Sequence, residues 1–157
     1  MKIITVKGNE YKLEFGFDAA EHKNTVQKMF KVKSGAYMVE EGISADGTPT
    51  ASGIINGTAS MVGDIPGIVK SAFYAGLLEH HGMPEEDAHA LLKDYMRENK
   101  LSFRDVFMEL TECMETDGFF DLAGITAMLK EAEPEEEKKT IKAVKTPQDH
   151  KKPTSTK

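Results

Sequence analysis

Asp64-Ile65-Pro66-Gly67-Ile68-Val69-Lys70-Ser71-Ala72-Phe73-Tyr74-Ala75-Gly76-Leu77-Leu78-Glu79-His80-His81-Gly82 is the stretch on which the fold turns. Ile65, Ile68, Val69, Ala72, Phe73, Gly76 and Leu77 recur at helical spacing, in a stripe wide enough to face a core. Asp64 stands before the stripe and Gly82 beyond it, so a helix is predicted between them. Met83-Pro84-Glu85-Glu86 opens a second helix, with Ala88, Leu91, Leu92, Tyr95 and Met96 on its apolar side. Proline suits a first turn, and the acids after it complement the helix dipole. Ser102-Phe103-Arg104-Asp105 begins a third helix in the manner of a capping box, with Asp in place of the usual Glu. Its stripe is Phe103, Val106, Phe107, Leu110 and Met114. Gly118 ends it, and Phe119-Phe120 leads into a final short helix carrying Leu122, Ile125, Met128 and Leu129.

Upstream the periodicity is different. Ile4 and Val6 fall on one face of an N-terminal strand, and Ile3, Thr5 and Lys7 on the other. Gly8-Asn9 supplies turn chemistry, and Tyr11, Leu13, Phe15 and Phe17 then alternate with polar or small residues. This predicts a hairpin with one apolar face, which must pack on something because a lone hairpin is marginal in water. Asp18 is positioned to cap a helix reaching about Phe30, with Val26, Met29 and Phe30 inward. From Ser34 to Gly63 the text turns to Gly, Ser, Thr and Ala, with Asp46-Gly47 and Asn56-Gly57 as turn signals. That segment reads as an irregular excursion with room for a short second hairpin, either mobile or ordered by a partner. The expected fold is therefore α+β. An N-terminal β-hairpin packs on a small bundle of four to five α-helices in one domain, residues 1–130, with residues 34–63 as the excursion. A charged, disordered C-terminal tail, residues 131–157, follows it.

Charge separates the two parts. The net charge is −6, but the stretch from Lys138 to Lys157 holds seven Lys and one Asp, which leaves −12 on the first 137 residues. An acidic body repels phosphate backbones, so nucleic-acid binding by the folded part is not expected. The tail is either a solvated extension or an arm that contacts an acidic surface. A single cysteine, Cys113, excludes an internal disulfide and fits a reducing compartment. Lys2 and the short Ile3-Ile4 pair do not make a signal peptide, and no run approaches the ~20 apolar residues of a membrane span. A cytoplasmic protein is expected.

Catalysis needs convergent groups of tuned acidity, and the sequence offers few candidates. His80, His81 and His89 are the best metal-ligand set, but adjacent helical histidines point about 100° apart and no HExxH accompanies them. Cys113 has no indicated base or orienting group and reads as a small apolar residue. No phosphate-binding loop or nucleophile elbow is present. A binding protein without metal, cofactor or enzymatic activity is expected. Nine Met, including Met96, Met108, Met114 and Met128 on or beside the stripes, either fill the core or line an adaptable groove for a partner helix.

Several segments together resemble one family. Lys7-Gly8-Asn9-Glu10-Tyr11-Lys12-Leu13-Glu14-Phe15-Gly16-Phe17 is similar to the opening of siphophage tail assembly chaperones. Ala72-Phe73-Tyr74-Ala75-Gly76-Leu77-Leu78 resembles their central helix, and Leu91-Leu92-Lys93-Asp94-Tyr95 the next one. Phe107-Met108-Glu109-Leu110 and Asp117-Gly118-Phe119-Phe120 resemble their C-terminal pattern. The similarity covers about 1–30 and 65–129, and residues 34–63 do not align with the family.

The resemblance implies a bacteriophage protein of the host cell cytoplasm that binds the tape measure protein, keeps it soluble during tail assembly and is absent from the mature virion. It also implies self-association. A longer, frameshifted form would recruit tail tube protein, with the charged tail lying where the frameshift would occur. Candidate contact residues are Phe73, Leu77, Leu92, Tyr95, Phe103 and Phe107, which serve equally well as core residues. The competing expectation is a structural subunit of a phage tail or head–tail connector.

Overall fold

The computed structural model describes residues 1–40, 42–44, 47, 48 and 50–132, with only the backbone described at Glu40. A two-stranded antiparallel hairpin, β1 (Lys2–Val6) and β2 (Asn9–Leu13), is followed by α1 (Phe17–Glu21), α2 (Lys23–Lys33), α3 (Ala36–Glu40), α4 (Ala51–Leu78), α5 (Glu85–Asn99), α6 (Phe103–Thr116), α7 (Phe119–Leu122) and α8 (Ile125–Ala132). The expected α+β architecture is present, and five of these helices reach eight residues or more. The tail expected from residue 131 lies, from residue 133 onward, outside the described residues.

The hairpin pairs Ile4 with Tyr11 and Val6 with Asn9. Its two turn residues are therefore Lys7 and Gly8, at φ 51° and 78°, rather than the Gly8-Asn9 pair expected. Positive φ at both positions is the I′ geometry that matches strand twist. Lys7 tolerates it because its N–H is held 3.1 Å from a Glu98 carboxylate oxygen and its Nζ pairs with Asp94, both on α5. Ile4, Val6, Leu13 and Phe15 turn inward as their alternation predicts. Phe17 does not continue the strand. It opens α1 and is 70% exposed.

The single helix expected from Asp18 to Phe30 is two, broken at His22, whose ψ is 89°. Gly16, not Asp18, precedes the first of them. Glu79, at the end of α4, takes over the capping by accepting the Asp18 N–H at 3.2 Å. At the break, His22 Nδ1 meets Thr25 Oγ1 at 2.8 Å, and the buried Thr25 hydroxyl bonds the Ser71 carbonyl of α4. The last expected helix is likewise split, at Gly124 with φ 73°.

The largest departure concerns residues 34–63. Helix α3 occupies Ala36–Glu40, and α4 starts at Ala51 rather than near Asp64, running through Pro66 to Leu78. Thr50 caps it, accepting the Gly53 N–H at 3.0 Å. Asn56-Gly57, expected as a turn, lies inside the helix. Of the expected Asp46-Gly47 turn, Asp46 lies outside the described residues; the Gly47 N–H reaches the Ser44 carbonyl at 2.9 Å, and no strand forms around it among the described residues.

The reason is tertiary. A Cβ on Gly57 would lie 2.5 Å from the Tyr37 carbonyl oxygen, so α3 can lie against α4 only where the side chain is missing. Tyr37 fastens this contact by donating its hydroxyl to Asp64 at 2.9 Å. The glycines that read as helix breakers are thus docking points, and packing overrides their low propensity. Pro66 deprives the Val62 carbonyl of its partner, but Val62 is solvent-exposed, so water can satisfy that carbonyl.

Helices α5 and α6 follow the expected pattern. Pro84 precedes α5, and Glu85, Glu86 and Asp87 fill its first turn. Ser102 and Asp105 form the full capping box of α6. The C-terminal half of α4 is the axis of the body. The hairpin, α1, α2, α5 and α6 pack around it, burying Ile68, Val69, Ala72, Phe73 and Leu77 with Phe15, Met114 and Phe119. No helix among the described residues is long and apolar enough to cross a membrane.

Candidate partner-binding surface

The six expected contact residues do not form a surface. Phe73 and Leu77 on α4, Leu92 and Tyr95 on α5, and Phe107 on α6 are core residues. Phe73 stacks on Tyr95 with ring centroids 6.3 Å apart, and the Tyr95 hydroxyl donates to Glu109 at 2.8 Å. Burial, then the Glu109 carboxylate, pushes the Tyr95 phenol well above its ordinary value. Phe103 alone is half-buried. With Lys70, His89, Ala90, Leu92 and Lys93 it lines an open cleft of about 440 Å³. Helical spacing marks any face that must be covered, whether by the chain's own core or by another molecule, so the stripes alone could not separate the two.

The histidines fasten the hairpin. His80 Nε2 lies 2.6 Å from Glu14 Oε2, and His81 Nε2 accepts the Lys12 N–H at 2.9 Å. His89 lies apart on α5, 3.5 Å from Glu85 Oε1. No cluster of three potential ligands occurs among the described residues. Cys113 is buried, 3.5 Å from Asp117 Oδ2, and burial followed by that carboxylate pushes its thiol up to about 11. The nucleophilic thiolate is therefore scarce near neutral pH.

The His81 bond makes hairpin docking sensitive to acid. Burial, ahead of His80 and Lys12, holds the His81 pKa below the ordinary imidazole value. Nε2 must be unprotonated to accept the Lys12 N–H. The stabilisation is thus present above the unfolded-chain pKa of about 6.5 and is lost as pH falls through the lower folded value. The melting midpoint should fall between pH 7 and pH 5, and His81→Gln should flatten part of that fall. Equal slopes for the two proteins would remove His81 from the explanation.

One uncovered apolar stretch continues the core stripe of α4. Ile54, Met61 and Ile68 recur at seven-residue spacing, as do Ile55, Val62 and Val69. These are two rows of one apolar stripe. Ile68 and Val69 are buried in the body, whereas Ile54, Ile55 and Val62 are 48%, 68% and 60% exposed. Gly57 faces α3 and Gly53 faces the Gly42 backbone beyond it, and Ile55 and Val62 fall on the opposite side of the helix by its 100° step. The N-terminal half of α4, with α3 against it, is thus an arm whose outer face carries the core stripe onward without a cover.

Elsewhere the exposed apolar residues are more scattered. Met108 and Met128 are exposed, Met114 is buried and Met96 half-buried, so the methionines divide between core and surface. The sequence hid the arm because its glycines and serines read as loop. The signal that could have found it was the seven-residue spacing continuing upstream of Asp64. No family model, no curated protein and no solved structure matches this chain.

Proposed function

We propose that the protein is a bacteriophage tail assembly chaperone of the host cell cytoplasm, which binds the tape measure protein and keeps it soluble until tail tube protein replaces it. The observation that carries this reading is the α4 stripe, which is buried by the body in its C-terminal half and uncovered from Ile54 to Val62. A face of this kind suits a long, apolar, helical client. The order of the hairpin and helix segments, similar to that family, supplies the identity of the client. An acidic body supports the same role, because coated complexes of like charge repel one another. Self-association and a longer product that recruits tube protein belong to this proposal.

Co-expression tests it. The tape measure protein encoded beside this chain should move from the pellet to the soluble fraction, and the two should co-purify. An unchanged soluble fraction would count against the chaperone role. Mass spectrometry of purified virions should find no more than traces of the chain. Many copies per particle would place it among structural tail subunits instead.

A further inference from the structure

Charge on α5 is sorted by face. Asp94 and Glu98 both hold Lys7 at the hairpin turn, Asp94 on its Nζ and Glu98 on its N–H. By the 100° step of the helix, Lys93, Arg97 and Lys100 share a different row with one acid, Glu86. Lys93 carries that row into the open cleft of about 440 Å³, where Lys70 of α4 joins it and Ala90, Leu92 and Phe103 supply apolar walls. Neither lysine has a carboxylate within ion-pair distance among the described residues. The acids of α6 nearest Phe103 are committed elsewhere, Asp105 to the Ser102 cap and Glu109 to Lys2 and Tyr95. His89, the remaining lining residue, keeps Nε2 buried without a hydrogen bond, because Glu85 Oε1 stands off at 3.5 Å. A body carrying −12 over its first 137 residues thus holds a cleft lined by two uncompensated lysines and no acid.

We infer that this cleft receives a short acidic segment of another protein, with a large apolar side chain against Phe103 and Leu92 and Asp or Glu carboxylates on Lys70 and Lys93. The volume falls in the range of ligand-holding clefts, about 300–1,000 Å³. Apolar walls beside two point charges suit a side chain next to a carboxylate, and each lysine gains the counter-ion it lacks. Nucleic acid and anionic lipid carry the same sign of charge. They would, however, bring many phosphates up to an acidic body, whereas a peptide with two carboxylates responds mainly to charges within about 10 Å. The chain's own C-terminal segment does not fit. Glu131 to Glu137 offers nothing apolar beyond Ala132 and Pro134, and the Lys-rich stretch after it is repelled. The assignment goes beyond the chaperone reading and does not rest on it.

Three labelled peptides test it, each with a Leu-Phe pair set in Gly and Ser, flanked on both sides by Glu, Gln or Lys. Fluorescence anisotropy with the full chain at low salt should show the Glu peptide binding at least about tenfold more tightly than the Gln peptide, with the gap narrowing as salt rises. The Lys peptide should bind least. Lys70→Gln with Lys93→Gln should erase the preference for Glu while leaving the circular dichroism and melting midpoint near wild type, since both side chains are exposed. Ala90→Trp, which fills the cleft from an exposed position, should block the Glu peptide altogether.

Equal binding of the Glu and Gln peptides, no binding of any up to roughly 100 µM, or indifference to the double glutamine or the tryptophan variant would overturn the assignment. Tighter binding of a single-stranded oligonucleotide than of the Glu peptide would give the cleft to nucleic acid instead. A dimer in sedimentation that Ala90→Trp dissolves would seat a second copy there and overturn it as well.

Discussion

Phe73→Ala should cost about 3–5 kcal/mol, enough to leave much of the protein unfolded at growth temperature. Phe73 is fully buried in the centre of α4 and stacks on Tyr95. Its truncation removes the transfer energy of an aromatic ring and leaves a cavity that α4, pinned on several sides, cannot close. Urea denaturation followed by circular dichroism measures the loss. The informative comparison is Ile55→Ser, on the exposed part of the same stripe, which should change stability by no more than about 0.5 kcal/mol. A Phe73→Ala protein that melts like wild type but no longer holds a client would reverse the roles of the two halves of α4.

Asp117→Ala is the second substitution with a large expected effect, about 3 kcal/mol. Asp117 follows α6 directly and is largely buried. Its carboxylate accepts the Phe15 N–H at 3.0 Å, pairs with the N-terminal amine and lies beside the Cys113 thiol. One side chain thereby ties both ends of the hairpin to the last turn of α6. Burial by itself would push this carboxyl up. The hydrogen bonds from the amine, the Phe15 N–H and Cys113 outweigh it and hold the pKa below the ordinary aspartate value. Its stabilisation is then present above the unfolded-chain pKa of about 3.9 and is lost as pH falls through the lower folded value. The gap in stability between wild type and Asp117→Ala should therefore narrow as pH falls through that lower folded value. Asp117→Asn, which keeps an acceptor for the Phe15 N–H, should lose less than the alanine variant. Equal losses would mean that the charge alone matters.

Local chemistry was legible where it was self-contained. The Ser102–Asp105 box, the acids after Pro84 and the alternation of Ile4, Val6, Leu13 and Phe15 each carry their own signal within a few residues. Features set by distant partners were not legible. Nothing near Asp18 says that Glu79 will cap α1, and nothing near Gly57 says that the Tyr37 backbone will lie against it. The candidate surface failed for a related reason. Phe73, Leu77, Leu92, Tyr95 and Phe107 sit on strong stripes, and a strong stripe is what a core residue requires. The uncovered part of α4 is distinguished only by where the rest of the chain stops covering it, and that boundary is a property of the assembled body. The methionines show the same ambiguity, since Met114 and Met108 share one helix and opposite fates.

The 28 residues of α4 also fix a length. At about 1.5 Å of rise per residue, the stretch from Ala51 to Gly63 extends roughly 20 Å. A partner helix lying along it is occupied for about the same distance, some 13 of its own residues. The load on a long client would then be a matter of counting. Each added copy would claim a fixed interval, and the number bound would scale with the client's length rather than with a set of discrete recognition sequences.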